Sequence, residues 1–235
     1  PRSGFETTPL MIDGRLYLTT PFTRVIELDP ATGKELWAFD PKLDRAKPYG
    51  DGLINRGLAA WRDPQSAKKG AGKGGACALR LYEATLDARL VSVDAATGLP
   101  CAGFGENGQI SLRDVARYTP GQYHMTSPPI ALDGVVVVGS AIDDNARIAM
   151  PSGVVRGFDA RTGKLLWSWE PLQAPAGANP GNWNTGAGNA WSVLSADPAR
   201  HTVLVPTGSA SPARCRSAPA SRTSAKGITR GLAPP

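Results

Sequence analysis

Short apolar runs separated by turn-forming residues dominate this chain. RLYL (15–18), RVIEL (24–28) and VVVV (135–138) alternate or stay apolar over four to six residues. That is the length and patterning of β-strands, not of amphipathic helices. In MIDGRLYL (11–18) and ALDGVVVVG (131–139) an Asp-Gly pair stands between two such runs, which predicts β-hairpins. The four valines at 135–138 predict a strand buried on both faces.

The runs repeat. Asp-x-x-Thr-Gly occurs at 29–33, 94–98 and 159–163, at an interval of 65 residues each time. The segments 15–33 and 80–98 share nine identical positions in register. In such a turn the Asp carboxylate accepts backbone N–H bonds and Gly supplies the positive φ, so each motif predicts a tight turn between two antiparallel strands. Eight residues after Asp29 and Asp159 stand Trp37 and Trp167, whereas the second unit has Ala102 there. A large ring at this place is expected to pack across the neighbouring unit, a structural role. Radial repetition of four-stranded sheets satisfies the pattern, so the expected fold is all-β, a β-propeller. The 65-residue period is long for one blade and implies insertions, among them RDPQSAKKGAGKGGA (62–76), YTPGQYHM (118–125) and the stretch 171–190. The first of these ends in no Gly-Lys-Ser/Thr and opens no helix, so it is not a phosphate loop.

Composition agrees: Gly (27) and Pro (21) make up about a fifth of the chain, which suits many turns. The net charge of +6 hints at nucleic acid, but residues 213–235 carry five of those positive charges and no acid. The body is nearly neutral, so nucleic-acid binding is not expected. No apolar run of about 18 residues is present, so membrane association is expected only through regions outside this chain. Cys77 and Cys101, 24 residues apart, are candidates for a disulfide or for two buried thiols, and Cys215 is expected to be unpaired.

Several longer strings are similar to PQQ-dependent (quinoprotein) dehydrogenases: LINRGLAAWRDP (53–64), EATLDARLVSVDAATGLPCAGFGENGQ (83–109), MTSPPIALDGVVVVGSAIDDN (125–145), PSGVVRGFDARTGKLLWSW (151–169) and NAWSVLSADP (189–198). The units ending in GKELW and GKLLW resemble that family's tryptophan-docking repeats. The likeness spans most of residues 4–212 and is nearer the glucose type than the methanol type. It implies about three blades of an eight-bladed propeller, with residues 1–212 a partial propeller that leaves two sheet edges open. It also implies a PQQ cofactor with Ca²⁺ (or Mg²⁺), a small polyol or alcohol such as glucose as substrate, a quinone as electron acceptor and a periplasmic location.

On the matching positions, the resemblance assigns Arg56 to a quinone carboxylate, Thr126 to the quinone rim and Trp191 to the floor under the ring, with Asp144 and Asn145 as metal ligands. The alternatives are an ordinary ion pair, local turn hydrogen bonds and another inter-blade Trp. Ser209 stands where many relatives have a ligating Asn, which makes a metal role there doubtful. Asp51 and Gly52 stand where methanol-type relatives carry paired cysteines. His124, a lone histidine, is expected to be a hydrogen-bonding residue and not a base. The implied chemistry is hydride transfer to the quinone, with a carboxylate as general base; no residue of 1–212 is assigned as that base. Residues 213–235 break the pattern, read as disordered, and suggest a shifted reading frame. The chain is therefore expected to be a fragment, inactive alone, of a quinoprotein dehydrogenase. The competing expectation is a non-catalytic propeller scaffold, since fold does not fix function.

Overall fold

The computed structural model describes residues 3–65, 75–143, 148–173 and 186–211. After β1 (Ser3–Thr8) comes a four-stranded antiparallel meander of β2 (Leu10–Ile12), β3 (Arg15–Thr19), β4 (Val25–Leu28) and β5 (Glu35–Phe39). β6 (Leu53–Gly57) precedes a second meander of β7 (Ala59–Arg62), β8 (Leu79–Ala84), β9 (Arg89–Asp94) and β10 (Gln109–Ser111). β11 (Tyr123–His124) precedes the third, which is β12 (Ile130–Leu132), β13 (Val135–Val138), β15 (Val155–Asp159) and β16 (Leu165–Trp169), with β14 (Ala141–Ile142) pairing back to β11. The hairpin β17 (Ser195–Asp197) and β18 (Thr202–Leu204) closes the described chain. These three four-stranded sheets are three propeller blades, as expected.

Both Asp-Gly hairpins form with two-residue loops. Asp13 and Gly14 (φ 51° and 75°), like Asp133 and Gly134 (φ 51° and 76°), are left-handed at both central positions, the twist that joins adjacent strands without splaying them. Strand alternation then sorts side chains between blade interfaces. Val136 and Val138 join Tyr82, Leu90, Phe104 and Phe158 between the second and third blades. Val135 and Val137 face the other way, toward Val155, Ala190 and Leu194. All four valines are buried, which is the two-faced burial that their uniform composition predicts. Leu81, Tyr17, Val25 and Ala95 fill the gap between the first and second blades.

The Asp-x-x-Thr-Gly turns hold as their chemistry requires. Asp29 Oδ1 accepts from Thr32 N at 2.8 Å and from Thr32 Oγ1 at 2.9 Å. Asp159 Oδ1 repeats this with Thr162 at 2.7 and 2.8 Å. Gly33, Gly98 and Gly163 adopt φ of 71°, 72° and 76°. The second and third turns also receive the preceding blade. Tyr17 Oη donates to Ala95 O at 3.2 Å, and Tyr82 Oη, 65 residues on, donates to Ala160 O. Trp37 lies on Gly98 so closely that an added Cβ would stand 2.6 Å from the ring.

The second blade departs from the simple unit. Its turn at Asp94 leads into residues 99–108 before β10, and Cys101 in that stretch is disulfide-bonded to Cys77, with Cα atoms 5.9 Å apart. Ala102 occupies the tryptophan position, and Ile110 and Phe104 pack on Gly163 of the third blade's turn in place of an indole. Trp167 covers Gly157 of its own sheet and borders the cluster of Val135, Val155 and Leu194. The expected tail (213–235) lies outside the described residues.

Gly98 and Gly33 separate ring docking from backbone strain. Both need positive φ, but an added Cβ at Gly33 meets nothing within 4 Å. Gly33→Ala is expected to cost about 1 kcal/mol. Gly98→Ala should cost about 2 kcal/mol more, because the indole must move. Equal losses in chemical denaturation would contradict docking as the role of Gly98.

Candidate functional site

Among the described residues, the candidates Arg56, Thr126 and Trp191 come together in front of the blades. β6 runs parallel to β1, with Phe5 opposite Asn55, and Arg56 N donates to Thr126 O at 2.9 Å. Segments that lead into consecutive blades therefore lie side by side. Each brings one polar or aromatic residue to the same level. Glu6 stands four residues before β2, Arg56 three before β7, Thr126 four before β12 and Trp191 four before β17.

Their side chains meet around Arg56. Its Nη1 donates to Thr126 Oγ1 at 2.7 Å, and its Nε pairs with Glu6 Oε2 at 3.0 Å. Its guanidinium carbon lies 5.7 Å from the centre of the Trp191 ring. Thr126 is buried, and its hydroxyl, accepting from Arg56, keeps its own proton to donate. Trp191 is 48% exposed, an uncommon state for so large an apolar ring beside a cation. Its backbone is held: Ser127 Oγ donates to Trp191 O, and Gly208 lies 3.4 Å from the indole nitrogen when given a Cβ. Gly188 N donates to Ser209 O at 3.0 Å, which brings Ser209 beside the strand entry that carries Trp191.

A second pair borders this group. His124 is fully buried, and its Nε2 lies 3.0 Å from Asp51 Oδ2, while its Nδ1 has no partner among the described residues. The expectation of a hydrogen-bonding histidine therefore holds for one ring nitrogen. The His124 hydrogen bond holds the Asp51 carboxyl below its ordinary range, against the opposing effect of burial. Gly50 wedges this loop between strands, since a Cβ there would lie 2.8 Å from Asp143 Cβ and 3.3 Å from His124 Cε1. Asp144 and Asn145 follow directly but lie outside the described residues.

Behind Arg56 is a buried polar chain that sequence reasoning missed. Thr7 and Thr19 hydroxyls are 2.9 Å apart, and Thr19 donates to Asn55 Oδ1, which also accepts from Gly57 N at 2.9 Å. Asn55 Nδ2 donates to Glu83 Oε1. Burial pushes the Glu83 carboxyl well above the ordinary glutamate range. Glu6 was also missed; its place four residues before a first strand, like that of Thr126, is the signal that finds it.

The model of the PQQ glucose/ethanol/alcohol dehydrogenase β-propeller domain matches residues 1–221. The chain belongs to this family. Quinoprotein glucose dehydrogenase A of Acinetobacter calcoaceticus is 37% identical over 220 residues, covering 88% of this chain and 27% of that protein. The glycerol dehydrogenase large subunit of Gluconobacter oxydans (strain 621H) is 38% identical over 210 residues, covering 86% and 27%. The crystal structure of quinohemoprotein alcohol dehydrogenase from Comamonas testosteroni superposes with a TM-score of 0.67 at 25% identity, over 89% of this chain and 30% of that one. This quinoprotein chain thus spans about a quarter of the length of the curated relatives it matches.

The Asp51–His124 pair makes a pH prediction with a definite sign. A carboxyl depressed in the folded state adds stability above its unfolded value, and that stability is lost as pH falls through the folded value. Unfolding free energy should therefore decline with acidification below about pH 4. Asp51→Asn should flatten that limb in denaturant titrations at stepped pH, and an unchanged slope would count against the pair.

Proposed function

We propose that this chain is the part of a PQQ-dependent dehydrogenase that holds the face and rim of the cofactor, in an enzyme that oxidises glucose or another polyol or alcohol and passes electrons to a quinone. The observation that carries the reading is the convergence of Arg56, Thr126 and the half-exposed Trp191 from the entries of consecutive blades. A flat, anionic, aromatic ligand fits this set. The guanidinium fork matches a carboxylate, and Glu6 and Thr126 fix its plane. The Thr126 hydroxyl is free to donate to an oxygen at the ring's edge. The indole gives the ring a stacking floor. Asp144 and Asn145 are the proposed ligands of Ca²⁺ or Mg²⁺, as oxygen donors suited to a hard cation.

The bound quinone would supply the two-electron redox chemistry, and these residues would bind it, orient it and shield one face from water. A scaffold without cofactor has no use for a buried threonine and a paired arginine beside an open indole. The Cys77–Cys101 disulfide supports an oxidising compartment, in keeping with a periplasmic protein. Among the described residues no helix is long and apolar enough to cross a membrane.

Titration of the chain with PQQ and Ca²⁺, read by tryptophan fluorescence, tests this. Quenching is expected, without turnover in a dye-linked glucose assay. Arg56→Ala should weaken binding by about 10- to 100-fold, the worth of hydrogen bonds to a charged group. Trp191→Ala should remove most of the quenching. A folded chain that binds no PQQ would overturn the proposal and favour the scaffold.

A further inference from the structure

The buried chain Thr19–Asn55–Glu83 has no part in the reading above, yet it passes through the residue next to Arg56. Asn55 is 1% exposed and uses both ends of its amide. Its Oδ1 accepts from Thr19 Oγ1 and Gly57 N, and its Nδ2 donates to Glu83 Oε1. Gly57 takes φ of 136°, and an added Cβ there would stand 3.0 Å from Thr8 O, so the backbone after Arg56 has a single close-fitting course. Arg56 is thus flanked by a residue whose side chain is tied at both ends and a residue whose amide is tied to that same side chain.

Glu83 is the outer anchor of this arrangement. It lies on β8, fully buried on the side that faces the first blade, and Asn55 is its hydrogen-bond partner among the described residues. Its Oε2 is buried with no partner among the described residues. A carboxylate in that position would face a large desolvation cost with one hydrogen bond to offset it. A neutral carboxyl does not, and the raised proton affinity of Glu83 agrees. Burying a carboxyl here has no packing advantage over the leucine two residues earlier, Leu81, which faces the same way.

We infer that Glu83 is a positioning residue for the cofactor anchor: its buried carboxyl fixes Asn55, and Asn55 fixes the backbone from which the Arg56 guanidinium reaches Thr126, Glu6 and Trp191. This rests on the reading of Arg56 as a PQQ contact. It goes beyond that reading in assigning a device, reaching from the second blade's β8, that aims the arginine.

The test uses the full 235-residue chain with Glu83→Gln and Glu83→Leu, each also combined with Arg56→Ala. Gln keeps an acceptor for Asn55, and Leu does not. In PQQ titrations Glu83→Gln should stay within about twofold of the parent, and Glu83→Leu should bind about tenfold more weakly. In the Arg56→Ala background, Glu83→Leu should cause no further loss. A loss that persists there would mean a general structural role and overturn the inference. The Arg56 Nε–H resonance, assigned by its disappearance in Arg56→Lys, gives a readout that needs no cofactor. It should shift in Glu83→Leu and stay in place in Glu83→Gln. An unshifted resonance in Glu83→Leu would overturn the inference even if PQQ binds. A shifted one in a chain that fails to bind PQQ would support the positioning and sink the cofactor reading alone. If Glu83→Leu does not fold, Thr19→Val, which removes another hydrogen bond to the Asn55 amide, is run through the same measurements with the same expectations.

Discussion

The first and second blades are each shaped by the turn of the next. Tyr17 and Tyr82 donate to carbonyls in the turns that follow their own blades, and Trp37 and then Ile110 with Phe104 rest on the glycines of those turns. A glycine is needed there twice over, for its positive φ and for the space its missing Cβ leaves. Because the Asp94 and Asp159 carboxylates tie up amides of their own turns, those turns are rigid enough to be packed against. Blade follows blade at a fixed angle as a result, and that fixed angle is what brings the entry of one blade beside the entry of the next.

The site follows from this arrangement. No single repeat could form it, since each supplies one residue at its entry. Glu6, Arg56, Thr126 and Trp191 meet because four successive entries are held edge to edge. Repetition of the blade thereby brings together groups that are tens of residues apart in sequence. The energetic burden is a polar one: Asn55, Thr126, His124 and Glu83 are all buried, and their hydrogen bonds must offset the loss of water. Where the offset is incomplete, at Glu83 Oε2 and His124 Nδ1, the structure carries buried polar atoms without partners among the described residues.

The second blade shows how a repeat tolerates variation. With Ala102 in place of tryptophan, the stretch 99–108 folds over the turn and is cross-linked by Cys77–Cys101, while Phe104 and Ile110 supply the apolar contact to Gly163. The contact is kept and the residues that make it change, because apolar contact depends on area and fit and not on one ring type.

Local chemistry was legible in the sequence. Period-two apolar runs, Asp-Gly hairpins and Asp-x-x-Thr-Gly turns are set by neighbours within a few residues, so the strands, the left-handed turn positions and the three-blade repeat could be read directly. The motif positions Arg56, Thr126 and Trp191 could be named from resemblance. What only the tertiary structure decided is who touches whom. The Glu6–Arg56 pair, the Asp51–His124 pair and the Asn55–Glu83 bond join residues 28 to 73 positions apart, and the choice of disulfide over two thiols for Cys77 and Cys101 depends on a 5.9 Å approach. Such contacts depend on how strands and blades pack, a property of packed surfaces that no local pattern encodes.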